Sequence, residues 1–164
     1  MDFFGSTILL VVYYNGILGA VEKSVLLVNG PNLSRLGVRK PEIYGSETLQ
    51  DIEQRLESLA ASSGVSCLCF CSNSEGEIID FIEHNHAADG LVLNPGALMM
   101  AGWSLRDALE DFPAPIIEVH ISNLWAREAF REHSVLSSQV TGVISGLGTS
   151  GYDIAMAEML RRVA

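Results

Sequence analysis

The sequence predicts an α/β domain: a parallel sheet covered by helices on both faces. Two observations predict it. From Lys23 onward, five short apolar runs alternate with amphipathic stretches. The runs are continuously apolar rather than alternating with polar residues, as expected of strands buried on both sides.

The elements follow in order. "KSVLLVNG" is a β-branched and leucine run ending in Gly, a buried strand. "PNLSRLGVRKPEIYGSE" is broken by prolines and glycines and has no periodicity, so it reads as a long loop of the kind that forms lids. "SETLQDIEQRLESLAASSG" puts Leu49, Ile52, Leu56 and Leu59 on one helical face. Ser46 or Thr48 caps it and Gly64 stops it. "VSCLCFCS" is a strand and "EGEIIDFIEHNHA" a helix. "GLVLN" is a strand, with a helix over "SLRDALED". "APIIEVHI" is a strand, followed by a short helical piece near "NLWAREAFRE". "GVISG" is the last strand and "SGYDIAMAEMLRRVA" the last helix. In such sheets the working residues sit in loops at the carboxyl ends of strands, which here begin at Asn29, Ser72, Asn94, His120 and Gly146.

Composition narrows the function classes. The 164 residues are 48% hydrophobic and 18% charged, a globular balance sufficient for one domain with a real core. A net charge of −10 argues against binding nucleic acid or an anionic membrane surface. Cys67, Cys69 and Cys71 share one face of a strand by its period of two. No second cluster at ligand spacing exists, so they read as buried thiols in a reducing compartment, not as a metal site. Residues 1–22 form a separate apolar extension. Phe3–Val21 carries no charge, but Asn15 and its glycines weaken a spanning helix, and neither a basic start nor a cleavage site makes it a signal peptide. It reads as a non-conforming extension to a catalytic domain over 23–164, and the expected location is the cytoplasm.

Several motifs carry chemistry. "GLGTSG" (146–151) matches the dinucleotide fingerprint by letter, but the chain ends before the acidic partner that the fingerprint requires. Its glycines read as a tight turn and close helix–sheet packing. In "IIEVHISN", Glu118 and His120 share a strand face. A carboxylate-oriented His at a strand end suits a general acid or base, with a structural hydrogen-bonded His as the competing reading. Arg127 and Arg131, four apart, would share a helical face and suit a carboxylate or hydroxyls, unless they only pair with Glu128 and Glu132. Arg39 and Tyr44 lie in the lid. A guanidinium beside a phenol favours tyrosinate, a stronger base than His.

These pieces converge on a resemblance. "NGPNLSRLGVRKPEIYGS", "SNSEGEIIDFI", "LNPGA", "LRDAL", "EVHISNLWAREAFREHS" and "GVISGLGTSGY" come in the order and spacing of the type II 3-dehydroquinate dehydratases, which the chain resembles from about Lys23 to Arg162. The resemblance implies a flavodoxin-like three-layer sandwich with a five-stranded parallel sheet. It implies a hydro-lyase of the shikimate pathway that converts 3-dehydroquinate to 3-dehydroshikimate through an enolate, without metal or cofactor. By motif position, Tyr44 takes the proton α to the ketone and Arg39, with Arg131, holds it as tyrosinate. His120 protonates the departing hydroxyl, and Glu118 orients it. Asn32 holds the water or the enolate oxygen. Ile121 and Ser122 meet the substrate carboxylate, and Asn94 and Arg131 hold ring hydroxyls. Asp107 reaches in from a neighbouring subunit of a dodecamer built from trimers.

One loop departs from the family pattern. Where relatives carry Thr-His-Thr-Ser after Asn-Pro-Gly, this chain has Met99, Met100, Ala101 and Gly102, with Met100 at the His position. A thioether donates no hydrogen bond. A dehydratase with a weaker ring grip, a paralogue acting on an altered dehydroquinate analogue, and a non-catalytic oligomeric relative are the three readings left open by that change.

Overall fold

The computed structural model describes residues 23–37 and 47–163. Five parallel strands form one sheet: β1 (Ser24–Asn29), β2 (Ser66–Cys71), β3 (Gly90–Asn94), β4 (Ile116–His120) and β5 (Gly142–Ser145). Their spatial order is β2-β1-β3-β4-β5, the doubly wound order of flavodoxin-like folds. Four α-helices cover it among the described residues: α1 (Leu49–Ser62), α2 (Glu75–His84), α3 (Trp103–Glu110) and α4 (Ser150–Val163). The expected strand and helix alternation is therefore borne out.

Period two along each strand splits the core in two. Val25 and Leu27 of β1, Val92 of β3, and Ile117 and Val119 of β4 face α1 and α4, meeting Ile52, Leu56, Tyr152, Met156 and Met159. Leu26, Val28, Leu91, Leu93 and Ile116 face α2 and α3, meeting Ile78, Ile82, Leu105 and Leu109. The strands β1, β3 and β4 are buried almost throughout, which explains why their sequences read as unbroken apolar runs. The cysteines of edge strand β2 pack against the first of these two cores, with Cys67 and Cys69 Sγ 3.9 Å apart. That hydrogen bond, and then burial, pushes the Cys69 thiol up, keeping it protonated and inert.

Helix ends obey local chemistry. Thr48 caps α1 through a reciprocal pair with Asp51, and Ser74 caps α2 through the Glu77 N–H. Arg55 of α1 bridges to Asp153 of α4, with Nε to Oδ1 at 2.7 Å and Nη2 to Oδ2 at 3.1 Å, and also holds Glu47. The helical piece expected near 123–132 is instead two short 3-10 turns, Leu124–Ala126 and Ala129–Arg131. The Asn123 side chain caps the first turn, and its backbone turns extended at Arg127, so no α-helix propagates through the segment.

The loops after β1 and β3 touch backbone to backbone. The Gly30 N–H donates to Asn94 O at 2.8 Å, and a Cβ on Gly30 would fall 2.4 Å from Pro95 O. Gly30→Ala must therefore push two site loops apart. It should cost about 1–3 kcal/mol in urea unfolding, as overpacking against immovable backbone does.

Candidate functional site

The site grows from the carboxyl edge of the sheet. β1 ends at Asn29, β3 at Asn94 and β4 at His120, and the loops that leave them line a cavity of about 310 Å³. Its wall contains Asn32, Arg35 and Leu36 from the first loop, Asn94 and Met99 from the third, and His120, Ile121, Ser122, Arg127 and Arg131 from the fourth. The walls are apolar at Leu36, Met99 and Leu124 and carry three arginines against one carboxylate, Glu128, which suits a small anionic compound.

His120 is a buried and oriented polar group at that wall. Glu118, two residues earlier on the same strand face, is wholly buried, and its Oε1 lies 2.6 Å from His120 Nε2. A carboxylate accepts, so Nε2 carries the proton and Nδ1 is the nitrogen left for chemistry. Ser134 closes the other side of Glu118, its hydroxyl 3.0 Å from Oε1 and 3.2 Å from Oε2.

A second polar chain lies on the opposite face of the sheet. The Tyr152 hydroxyl of α4 donates to Asn29 Oδ1 and accepts from Asn94 Nδ2, both at 2.7 Å. Asn94 Oδ1 then accepts the Gly96 N–H at 3.1 Å. Burial pushes the Tyr152 phenol well up, so it remains a neutral donor and plays no acid–base part. Asn29 Nδ2 is buried and meets no partner among the described residues.

Arg127 directly follows the first 3-10 turn and Arg131 ends the second. Arg127 Nη1 donates to Ser122 Oγ at 3.2 Å, and Arg131 Nε donates to Glu128 at 2.8 Å while lying over the Phe130 ring. The Glu128 N–H and then Arg131 hold the Glu128 carboxyl below its usual range. Asn32 adopts a left-handed conformation with φ 69°, which its short side chain tolerates, and its N–H donates to Asn73 Oδ1 at 2.8 Å.

Most sequence-predicted residues thus meet at one cavity: Asn32, Asn94, His120, Ile121, Ser122 and Arg131 line it, and Glu118 lies directly behind His120. Two do not. Met100 is half-buried and off the cavity wall, while the buried Met99 of the same 3-10 turn, Gly96–Met100, borders it. Asp107 is largely exposed on α3, paired to Arg106 at 3.2 Å. Arg39 and Tyr44 lie outside the described residues. Sequence reasoning missed Ser134, Tyr152 and Asn29 as partners of the site, since nothing in local spacing links residues 16, 58 or 123 positions apart.

The glycine turn read from "GLGTSG" is present. Gly146 and Gly148 have positive φ, and Gly151 packs α4 onto β4 and β5 beside Val119 and Ile144. Among the described residues no three His, Cys, Asp or Glu side chains gather as a metal site, and no helix is long and apolar enough to cross a membrane.

Comparison with known proteins agrees with this geometry. Residues 23–160 match the family model described as dehydroquinase class II. The chain is 53% identical over 142 residues to a 3-dehydroquinate dehydratase of Halorhodospira halophila, covering 85% of this chain and 95% of that protein. It is 49% identical over 140 residues to a catabolic 3-dehydroquinase of Emericella nidulans, covering 83% of this chain and 90% of the relative. Its fold superposes on a type II dehydroquinase from Propionibacterium acnes with a TM-score of 0.81 at 41% identity, over 85% of this chain and 97% of that one.

Tyr152→Phe keeps the ring but removes the hydroxyl partner of the buried Asn29 Oδ1 and Asn94 Nδ2. Equilibrium unfolding should show a loss of about 1–3 kcal/mol.

Proposed function

Because the chain belongs to the class II dehydroquinase family, we propose that it dehydrates 3-dehydroquinate to 3-dehydroshikimate. The observation that carries this reading is His120: its Nε2 is tied to a buried carboxylate, and it borders a cavity with cationic walls. With its Nε2–H held by Glu118, such a His takes up a second proton at Nδ1 and presents that N–H to a bound ring in a fixed direction. That is the requirement for a general acid.

In this reading Tyr44, held as tyrosinate by Arg39, removes a proton α to the ketone. The electron pair becomes an enolate. When the enolate collapses, the C–O bond to the departing hydroxyl breaks, and His120 delivers the proton that makes it water. The motif position of Tyr44 and Arg39 supports their roles. Asn32 holds the water or enolate oxygen. Ile121 and Ser122 receive the carboxylate, and Asn94 and Arg131 receive ring hydroxyls. No metal or cofactor has a step in this chemistry. Met99 supplies an apolar contact beside the ring, and Met100 stands at the position where the family carries its substrate-binding His.

The assembly follows from the same reading. Asp107 lies exposed on α3, and Trp103, one turn before it, is 61% exposed. Both would be covered in a dodecamer of trimers, where Asp107 reaches a neighbour's cavity. The catalytic domain is 23–164, with 1–22 an extension outside it. Three free thiols suit the cytoplasm.

Purified protein given 3-dehydroquinate should accumulate the absorbance of the conjugated enone product. Tyr44→Phe and His120→Gln should each lower kcat by about 10²–10⁴. Turnover unchanged in Tyr44→Phe would overturn the assigned base, and no turnover by the wild-type chain would overturn the reading as a whole. Light scattering should give a mass near twelve chains, falling on Trp103→Asp.

A further inference from the structure

We propose that Ser134 is a positioning residue for His120, acting through Glu118; its catalytic consequence rests on the dehydratase reading above, but its effect on the His120–Glu118 pair does not. Glu118 is a buried carboxylate at 0% exposure. An ion of that kind is tolerated only when its lone pairs are met. His120 meets one oxygen at 2.6 Å, and the single proton of the Ser134 hydroxyl is shared between both, at 3.0 and 3.2 Å. A shared donor on the bisector of a carboxylate fixes its plane, and that plane fixes the direction of the bond to Nε2.

Ser134 is itself held. Its Oγ accepts the Leu136 N–H at 3.2 Å, which leaves its own proton directed at Glu118. The neighbouring Val135 N–H donates to Met99 O at 2.7 Å, and Leu136 is wholly buried in the core on that face. The hydroxyl therefore comes from a segment clamped to the cavity wall at one end and the core at the other. Across the sheet, the residues paired with Glu118 are Leu93 on β3 and Val143 on β5, both apolar. The charged side chains bordering the cavity beside His120 are Arg35, Arg127, Glu128 and Arg131.

The sign of the effect follows from charge. With His120 protonated, the pair is neutral overall. Once the proton has gone to the leaving hydroxyl, the buried pair carries a net negative charge on Glu118. The Ser134 donor stabilises that second state more than the first. Removing it makes the pair retain its proton to higher pH and makes His120 a poorer acid.

In Ser134→Ala, kcat should fall about tenfold to a hundredfold with KM nearly unchanged, and the alkaline limb of the kcat profile should move up by about one pH unit. Ser134→Thr, which keeps the donor, should restore both. An NMR titration of the His120 ring, assigned by its loss in His120→Asn, should move upward in Ser134→Ala and return in Ser134→Thr. This readout needs no substrate, so it stands apart from any failure of the dehydratase reading. A His120 titration unmoved by Ser134→Ala would overturn the proposal. Equal loss of activity and melting temperature in both Ser134 variants, without a pH shift, would also overturn it and reduce Ser134 to packing.

Discussion

The hydrogen-bond chain Asn29–Tyr152–Asn94 is the constraint on which the carboxyl edge of the sheet depends. It joins the ends of β1 and β3 to helix α4 in the buried interior, at 2.7 Å on each side of one phenol. Both asparagines stand where strands stop and site loops start, so removing the phenol between them would leave two further buried amide groups without partners. Asn94 carries the constraint on into the loop through Gly96, and Gly30 locks the loop of β1 onto the backbone of β3. The cavity wall is rigid because its two loops are tied to each other and to the core below.

The opposite face of the sheet holds a different kind of polar cluster. Glu118, His120 and Ser134 lie above the second core, where Ile116 and Leu136 pack. Period two in β4 separates these groups from Val119 and Ile117, which face the first core. One cluster organises backbone and the other organises a proton, and the sheet keeps them apart. This division lets the Tyr152 phenol remain neutral and inert while His120 meets the cavity.

The methionine loop shows how local geometry redirects a sequence reading. By motif alignment Met100 takes the position of a ligand-binding His. The 3-10 turn over Gly96–Met100 instead puts Met99 on the cavity wall, and the Met99 carbonyl receives the Val135 N–H. Local backbone geometry, more than motif alignment, sets which side chain of this turn borders the cavity. The same effect replaced an expected helix around Arg127 and Arg131 with two tight turns, although both arginines still border the cavity.

Fold and strand ends were legible in the amino-acid sequence because both depend on short-range pattern. Continuous apolar runs specify strands buried on two faces, amphipathic stretches specify their covering helices, and period two places Glu118 beside His120 within one strand. The family motifs added the assignment of Tyr44 and Arg39, which lie outside the described residues. Contacts between remote segments were not legible. Ser134 reaches Glu118, Tyr152 bridges Asn29 and Asn94, and Arg55 grips Asp153 across helices, at separations where no periodicity operates. By itself, the sequence determined the parallel sheet, its order of elements and the edge where chemistry sits. Only the tertiary structure decided which side chains share a cavity and which hold others in place, because hydrogen-bond partners are chosen by proximity in space after the chain has folded.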